Sequence, residues 1–356
     1  MVANLIAIIM ITAIHYNTKS DVVAKGVVLG WNYLTQEFLT NGLARSAVPY
    51  FAMISGFFLF SQYPKQKSYG KLLHDRFQTL LVPYILAATL IFSSIALAKL
   101  ANGNTSFLNL RTIFHGILIT PLSSQFWFLR DLCLLVVISP LLLPKSRLLQ
   151  YTLGLSLFLP WLMNWQITPK AGDWYIINIE TLFFFYLGGQ LSYRSEMLNG
   201  IVNSSQKITI RTALLLFFIL ITRISIDPTI DLWYSNTKEY FFLSLLLYKA
   251  TIVVGIVCLL QVSALLHKNT LLIHLSGLSF FAFLFHFVPL NFLISRLSDM
   301  IVAKELGFYL SFPVATVTVF TAAHLMATKV PRLFGILCGG RTPPKALNRT
   351  RSWHTG

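Results

Sequence analysis

Charge is scarce in this sequence. Asp, Glu, Lys and Arg make up 11% of the 356 residues, where a soluble domain carries roughly 25%. Hydrophobic residues make up 55% and the mean hydropathy is +0.67. A large soluble core does not account for that shortage; many segments must have lipid as their solvent. Long polar stretches are also missing, so no separate soluble domain is expected. Acidic residues are the scarcest charges, 12 Asp and Glu against 28 Lys and Arg, for a formal charge of +16. That surplus would suit a nucleic acid, but the basic residues sit in short clusters between apolar runs, as the positive-inside rule requires. No nucleic-acid partner is expected. Cys133, Cys258 and Cys338 are scattered. Without CxxC or Cys/His spacing they read as small apolar fillers, and no metal is expected. A Gly-rich phosphate loop and an internal repeat are both lacking. The N-terminus has no basic n-region and no small-x-small cleavage site, so a retained first helix is expected.

What remains is a series of about ten apolar spans. They run near 2–16, 42–62, 79–99, 125–143, 148–167, 174–192, 208–226, 240–262, 270–295 and 306–328. The expected fold is therefore all-α and polytopic: a transmembrane domain over 1–328 and a basic tail over 329–356. Residues 20–41 read as the longest loop between the first two spans. Lys65, Lys67, Lys71 and Arg76 follow span two, and Lys145, Arg147, Arg194, Lys207, Arg211 and Lys268 occupy later even loops. Lys329, Arg332, Arg341, Lys345, Arg349 and Arg351 follow the last span. This pattern predicts cytoplasmic even loops and termini in a multi-pass membrane protein.

At about 1.5 Å per residue, this topology puts His15 roughly 20 Å and His286 roughly 24 Å across, toward the outer face. Arg45, Arg130 and Asp131 fall in the first turns of their spans, and Glu180 about 9 Å below the surface. Charges at membrane depth cost about 2.5 to 3.5 kcal/mol on insertion scales and face a partner or a wet cavity. The stretch ARSAVPYFAMISGFFLF, residues 44–60, concentrates such features. Arg45 either snorkels to headgroups or faces inward onto an anion or carboxylate. Pro49 removes a backbone donor, and Ser55-Gly56 lets a backbone or a thin ligand come close.

That stretch resembles the second-helix signature R-x-x-VP-x-F-x-x-SG-[FY] of the acyltransferase 3 family of bacterial membrane proteins. DRFQTLLVPY (75–84), FWFLRDLCLLVVISPLL (126–142), FFFYLGGQL, LSGLSFFAFLFHFVPL (275–290) and PRLFGILCGGR (331–341) resemble further family segments in the same order. The resemblance covers about 15–341. It implies O-acylation, most often acetylation, of envelope carbohydrate, with cytoplasmic acetyl-CoA as donor and a glycan or lipid-linked saccharide reached from the far side. It implies a catalytic role for His15 and carries Arg45, Ser55, Trp127, Arg130, Asp131 and His286 with it. The chain departs from the pattern at Asn4, where members often carry arginine, and at Thr79, where a second basic residue is common.

Transfer of an acyl group to a hydroxyl needs a base and oxyanion donors. His15 is expected as base or transient nucleophile, and Arg45 as oxyanion or acceptor contact. Asp131 is expected either to orient His15 or His286 or to form a structural ion pair. His286 is a further catalytic candidate, on a helical stripe with Ser279. Ser55, Trp127, Arg130 and Glu180 are expected along the substrate path. Lys71 and Arg76 are candidates for the CoA phosphates or, alternatively, for anionic lipid. Two other readings stay open: a transporter or flippase for a glycan precursor with charges lining its path, and a membrane scaffold with structural ion pairs.

Overall fold

The structure, a computed structural model, describes residues 1–27, 29–63, 68–103, 109–119, 123–143, 146–171, 174–229 and 241–341. Lys65, Lys67, Lys145, Lys345, Arg349 and Arg351 lie outside the described residues. The described fold is helical apart from one antiparallel pair of two-residue strands, Lys170–Ala171 with Trp174–Tyr175. A helix occupies each predicted span. Six are long and apolar enough to cross a membrane: Trp31–Gln62, Tyr69–Ala101, Ser124–Leu142, Gln206–Ile226, Phe242–Leu265 and Lys304–Lys329.

The expectation of about ten spans is thus met in part. The helices Val2–His15, Arg147–Leu162 and Ile179–Ser192 have 14, 16 and 14 residues. At about 1.5 Å per residue they are shorter than a hydrocarbon core of about 30 Å. The predicted span 270–295 is broken into Thr270–Phe285 and Leu290–Ile301, which meet at 88°. Counted as one span, this pair would be the seventh. Pro289, the first residue outside the second piece, has no N–H to continue the helical ladder.

The predicted loop 20–41 is largely helical. A short helix covers Lys19–Ala24, and the next starts at Trp31 rather than 42. Asn32, Gln36, Glu37, Thr40 and Asn41 depress the hydropathy of this stretch, yet all are buried. Their polar groups face protein partners instead of lipid. Arg45 therefore lies midway along the 31–62 helix, not in its first turn. The helix is irregular just there: a π-helical turn over Glu37–Gly42 passes into a 3-10 turn over Leu43–Ser46. Such π-turns concentrate at functional sites.

The main core forms where the 31–62 and 179–192 helices cross backbone to backbone. A Cβ on Gly56 would stand 2.0 Å from the Phe185 carbonyl oxygen, and one on Gly188 1.8 Å from that of Met53. Gly56 is therefore committed to helix packing, while its neighbour Ser55 faces a cavity. Apolar side chains on the outer helices, including Phe218, Val253 and Val317, are left exposed, as a lipid-facing surface requires. The predicted polar tail begins with structure: Pro331–Leu337 is a helix that packs Phe334, Leu337 and Cys338 into the core.

Candidate active site

The 2–15 helix ends at His15, and the 270–285 helix stops just before His286. The two rings lie 5.1 Å apart between centroids, and Phe287 packs 4.6 Å from His15. Tyr16 fixes the junction by donating its hydroxyl to the His286 carbonyl at 3.1 Å. His286 is wholly buried, whereas His15 keeps part of its surface accessible. The Nδ1 of His286 faces the Phe283 carbonyl at 2.9 Å. A carbonyl can only accept, so Nδ1 carries the proton and Nε2 of the neutral ring holds a lone pair. Among the described residues Nε2 has no hydrogen-bond partner.

Arg45 joins this pair to a buried polar network. It acts electrostatically on both His15 and Glu180, which lie on separate helices. Its Nε donates to Asn41 Oδ1 at 2.9 Å, and Asn41 donates to Glu37 at 2.7 Å. Glu37 is paired with Arg223 at 2.5 Å and with Lys19 at 2.9 Å. On the other side, Glu180 Oε2 accepts from Trp161 Nε1 at 3.1 Å and lies 3.8 Å from Lys249 Nζ. Lys249 donates to Asn164 at 3.1 Å and sits over the Trp161 ring. The bond of Arg45 to Asn41 points into the fold, in line with the inward-facing alternative of the two. Among the described residues, Lys19 and Arg223 pair with Glu37, Lys249 pairs with Glu180, and Arg45 is the cation that acts on His15.

Glu37, Asn41, Arg223 and Lys249 were missed in the sequence. Arg223 and Lys249 did carry a signal, being lone cations inside apolar spans. Glu37 and Asn41 carried none, because the hydropathy pattern assigned them to a loop.

The WFLRD element takes a different place. Arg130 donates to the carbonyls of Ile119, at 2.6 Å, and Tyr175, and pairs with Asp131 at 3.1 Å. The other Asp131 oxygen accepts the Asn178 backbone N–H at 2.8 Å, at the start of the 179–192 helix. Both Asp131 oxygens are used in this way, and neither histidine is among its partners. Asp131 is thus the structural ion pair of the two expectations and does not orient His15 or His286. Trp127 is buried edge-on against Phe128.

A cavity of about 540 Å³ opens beside this centre. Arg76 and Arg341 line it together with Ser55, Ser279 and Phe283. Arg76 also donates to Gln62 at 2.8 Å. Phe51, Phe128 and Phe283 form a triangle of rings with centroids 6.1–6.5 Å apart. All three rings line the cavity, and Phe283 lies 6.1 Å from the His286 ring, so the triangle stands between the cavity and that histidine on this side. The Ser279 hydroxyl is buried with no partner among the described residues. Lys71 is exposed and is not on the cavity wall. A larger groove of about 730 Å³, with Arg147 and Arg194 among its lining residues, holds none of the histidines. Among the described residues no cluster of three His, Cys, Asp or Glu could hold a metal.

Helices of membrane-crossing length thus surround a histidine pair backed by buried cations, with a two-arginine cavity alongside. A family model described as an acyltransferase domain matches residues 4–327, nearly the whole chain. This chain belongs to the acyltransferase 3 family. It is 26% identical over 365 residues to the succinoglycan biosynthesis protein ExoH of Rhizobium meliloti (strain 1021), covering 97% of this chain and 93% of that protein. No solved structure matches it. The chain is thus a multi-pass membrane acyltransferase by family, and its cavity has guanidiniums at the wall, an unpartnered hydroxyl inside and, among the described residues, no carboxylate in its lining.

Proposed function

We propose that the protein transfers an acetyl group from cytoplasmic acetyl-CoA to a hydroxyl of an envelope carbohydrate, from the inner membrane and with both termini in the cytoplasm. The observation that carries this reading is the pairing of the His15 and His286 rings, with Arg45 acting on His15, beside an arginine-lined cavity. The ExoH relative, named for succinoglycan biosynthesis, supports a polysaccharide or its lipid-linked precursor as acceptor.

In this reading His15 is the general base. The acceptor oxygen attacks the thioester carbonyl as its proton passes to a His15 ring nitrogen. The Nε2 lone pair of His286, unpartnered in the structure, is placed to accept from the other His15 nitrogen once the two rings close up on substrate binding, which would hold His15 in the tautomer that can take that proton. The Arg45 guanidinium faces the oxyanion that forms. The C–S bond then breaks, and the proton on His15 goes to the departing sulfur, leaving ester and free thiol. Glu180 and Lys249 set the field around Arg45. Ser55 and Ser279 line the route of the donor's thioester arm, and Arg76 meets its phosphates.

The test is incubation of the purified protein with radiolabelled acetyl-CoA and bacterial membranes. Label is expected in an envelope polysaccharide with wild type and not with His15→Ala, while both proteins insert normally. Undiminished transfer by His15→Ala would overturn the assignment. Label remaining entirely on CoA would favour a transporter.

A further inference from the structure

Arg341 lies beyond the last long helix, in the stretch expected to be a polar tail, yet it lines the same cavity as Arg76. Three features hold it there. Thr79 sits in a π-helical turn, Phe77–Leu81, and the residue four positions on is Pro83. Proline has no N–H, so the Thr79 carbonyl lacks its ordinary helical donor. Arg341 Nη1 donates to that carbonyl at 2.7 Å and also to the Cys338 carbonyl at 3.0 Å. Gly339, at φ +60°, permits the approach: a Cβ there would stand 2.5 Å from the Thr79 oxygen. The guanidinium also stacks 4.1 Å above the Phe280 ring.

The two guanidiniums are close enough to act on one another. Asp75 acts on Arg76 but does not line the cavity, and among the described residues no other carboxylate does. Two fixed cations on one cavity wall without an acid between them form an anion site. Among the described residues only Nη1 of Arg341 makes hydrogen bonds, which leaves further N–H groups for a ligand.

We propose that Arg341 and Arg76 form a two-guanidinium clamp for the phosphates of the acyl donor, so that the segment 331–341 is part of the donor site. This rests on the donor reading given above. Arg341 is a binding residue here and takes no part in the chemistry beyond the aromatic triangle.

The experiment measures equilibrium binding of CoA to the full-length protein in nanodiscs, without turnover, for wild type, Arg341→Gln and Arg341→Lys. Inorganic pyrophosphate is added as competitor. Arg341→Gln is expected to weaken CoA binding by roughly tenfold or more, the scale of losing a charge-assisted hydrogen bond. Arg341→Lys should fall between, since it keeps the charge and loses the fork. Pyrophosphate should compete well only against wild type. A second measurement, on wild type alone, asks whether CoA shields Arg341 from phenylglyoxal in a mass-spectrometric readout; it decides the matter if Arg341→Gln does not assemble. CoA binding by Arg341→Gln equal to wild type, or no shielding of Arg341 by bound CoA, overturns the clamp and leaves the donor reading intact. No CoA binding by wild type overturns both.

Discussion

The proton on His286 is held by a backbone carbonyl, and this sets what the neighbouring ring can do. With Nδ1 committed to Phe283, the lone pair on Nε2 is the only one the neutral ring offers. His286→Ala should therefore lower kcat by about 10² to 10⁴, the usual range for losing a positioned acid or base, with little change in KM. Initial-rate kinetics with labelled donor would check it; a change confined to KM would place His286 in binding instead. Arg45→Lys keeps the charge but loses the planar fork whose Nε donates to Asn41. It should lower kcat at least tenfold in the same assay. His15, Arg45, Glu180 and His286 were legible as polar groups in apolar spans. Their partners were not: which cation meets which carboxylate depends on how helices far apart in sequence pack, and Glu37 and Glu180 found theirs on the 206–226 and 242–265 helices. Thr79 was visible as a gap in a basic pattern, but nothing in the sequence linked it to Arg341.

Helix positions were more legible than helix ends, because apolar runs report lipid contact and not polar contact inside the protein. The 31–62 helix begins eleven residues before its hydropathy does, since its first turns bury Asn32, Gln36 and Glu37. The break after Phe285 was hidden for the opposite reason, as both sides of it are apolar. The contact between the 31–62 and 179–192 helices carries its own expectation. A methyl at Gly188 would meet the Met53 carbonyl oxygen at 1.8 Å, closer than any relaxation of a side chain could relieve. Gly188→Ala should destabilise the protein by about 1–3 kcal/mol or more, as overpacking does. Thermal unfolding in detergent would read this as a clear drop in midpoint, and an unchanged midpoint would mean the helices stand further apart.

Across the whole molecule, buried ion pairs take the place that the hydrophobic effect holds in water, because packing one apolar helix on another gains little in lipid. Glu37 ties the start of its own helix to Arg223 and Lys19. Glu37→Gln leaves the fully buried Arg223 uncompensated, which should cost about 3–5 kcal/mol. Chemical denaturation of the purified protein would measure it, and a loss below the noise of that assay would mean another acceptor takes over. The triangle of Phe51, Phe128 and Phe283 has a further consequence at this scale. A protein that hands a thioester part-way through a bilayer opens a path that protons and salt would follow if it were wet throughout. On the proposed donor reading, three packed rings on the cavity wall would have to keep that path closed to water between turnovers. Vesicles carrying the wild-type protein should therefore hold a pH gradient, and those carrying Phe283→Ala should dissipate it faster.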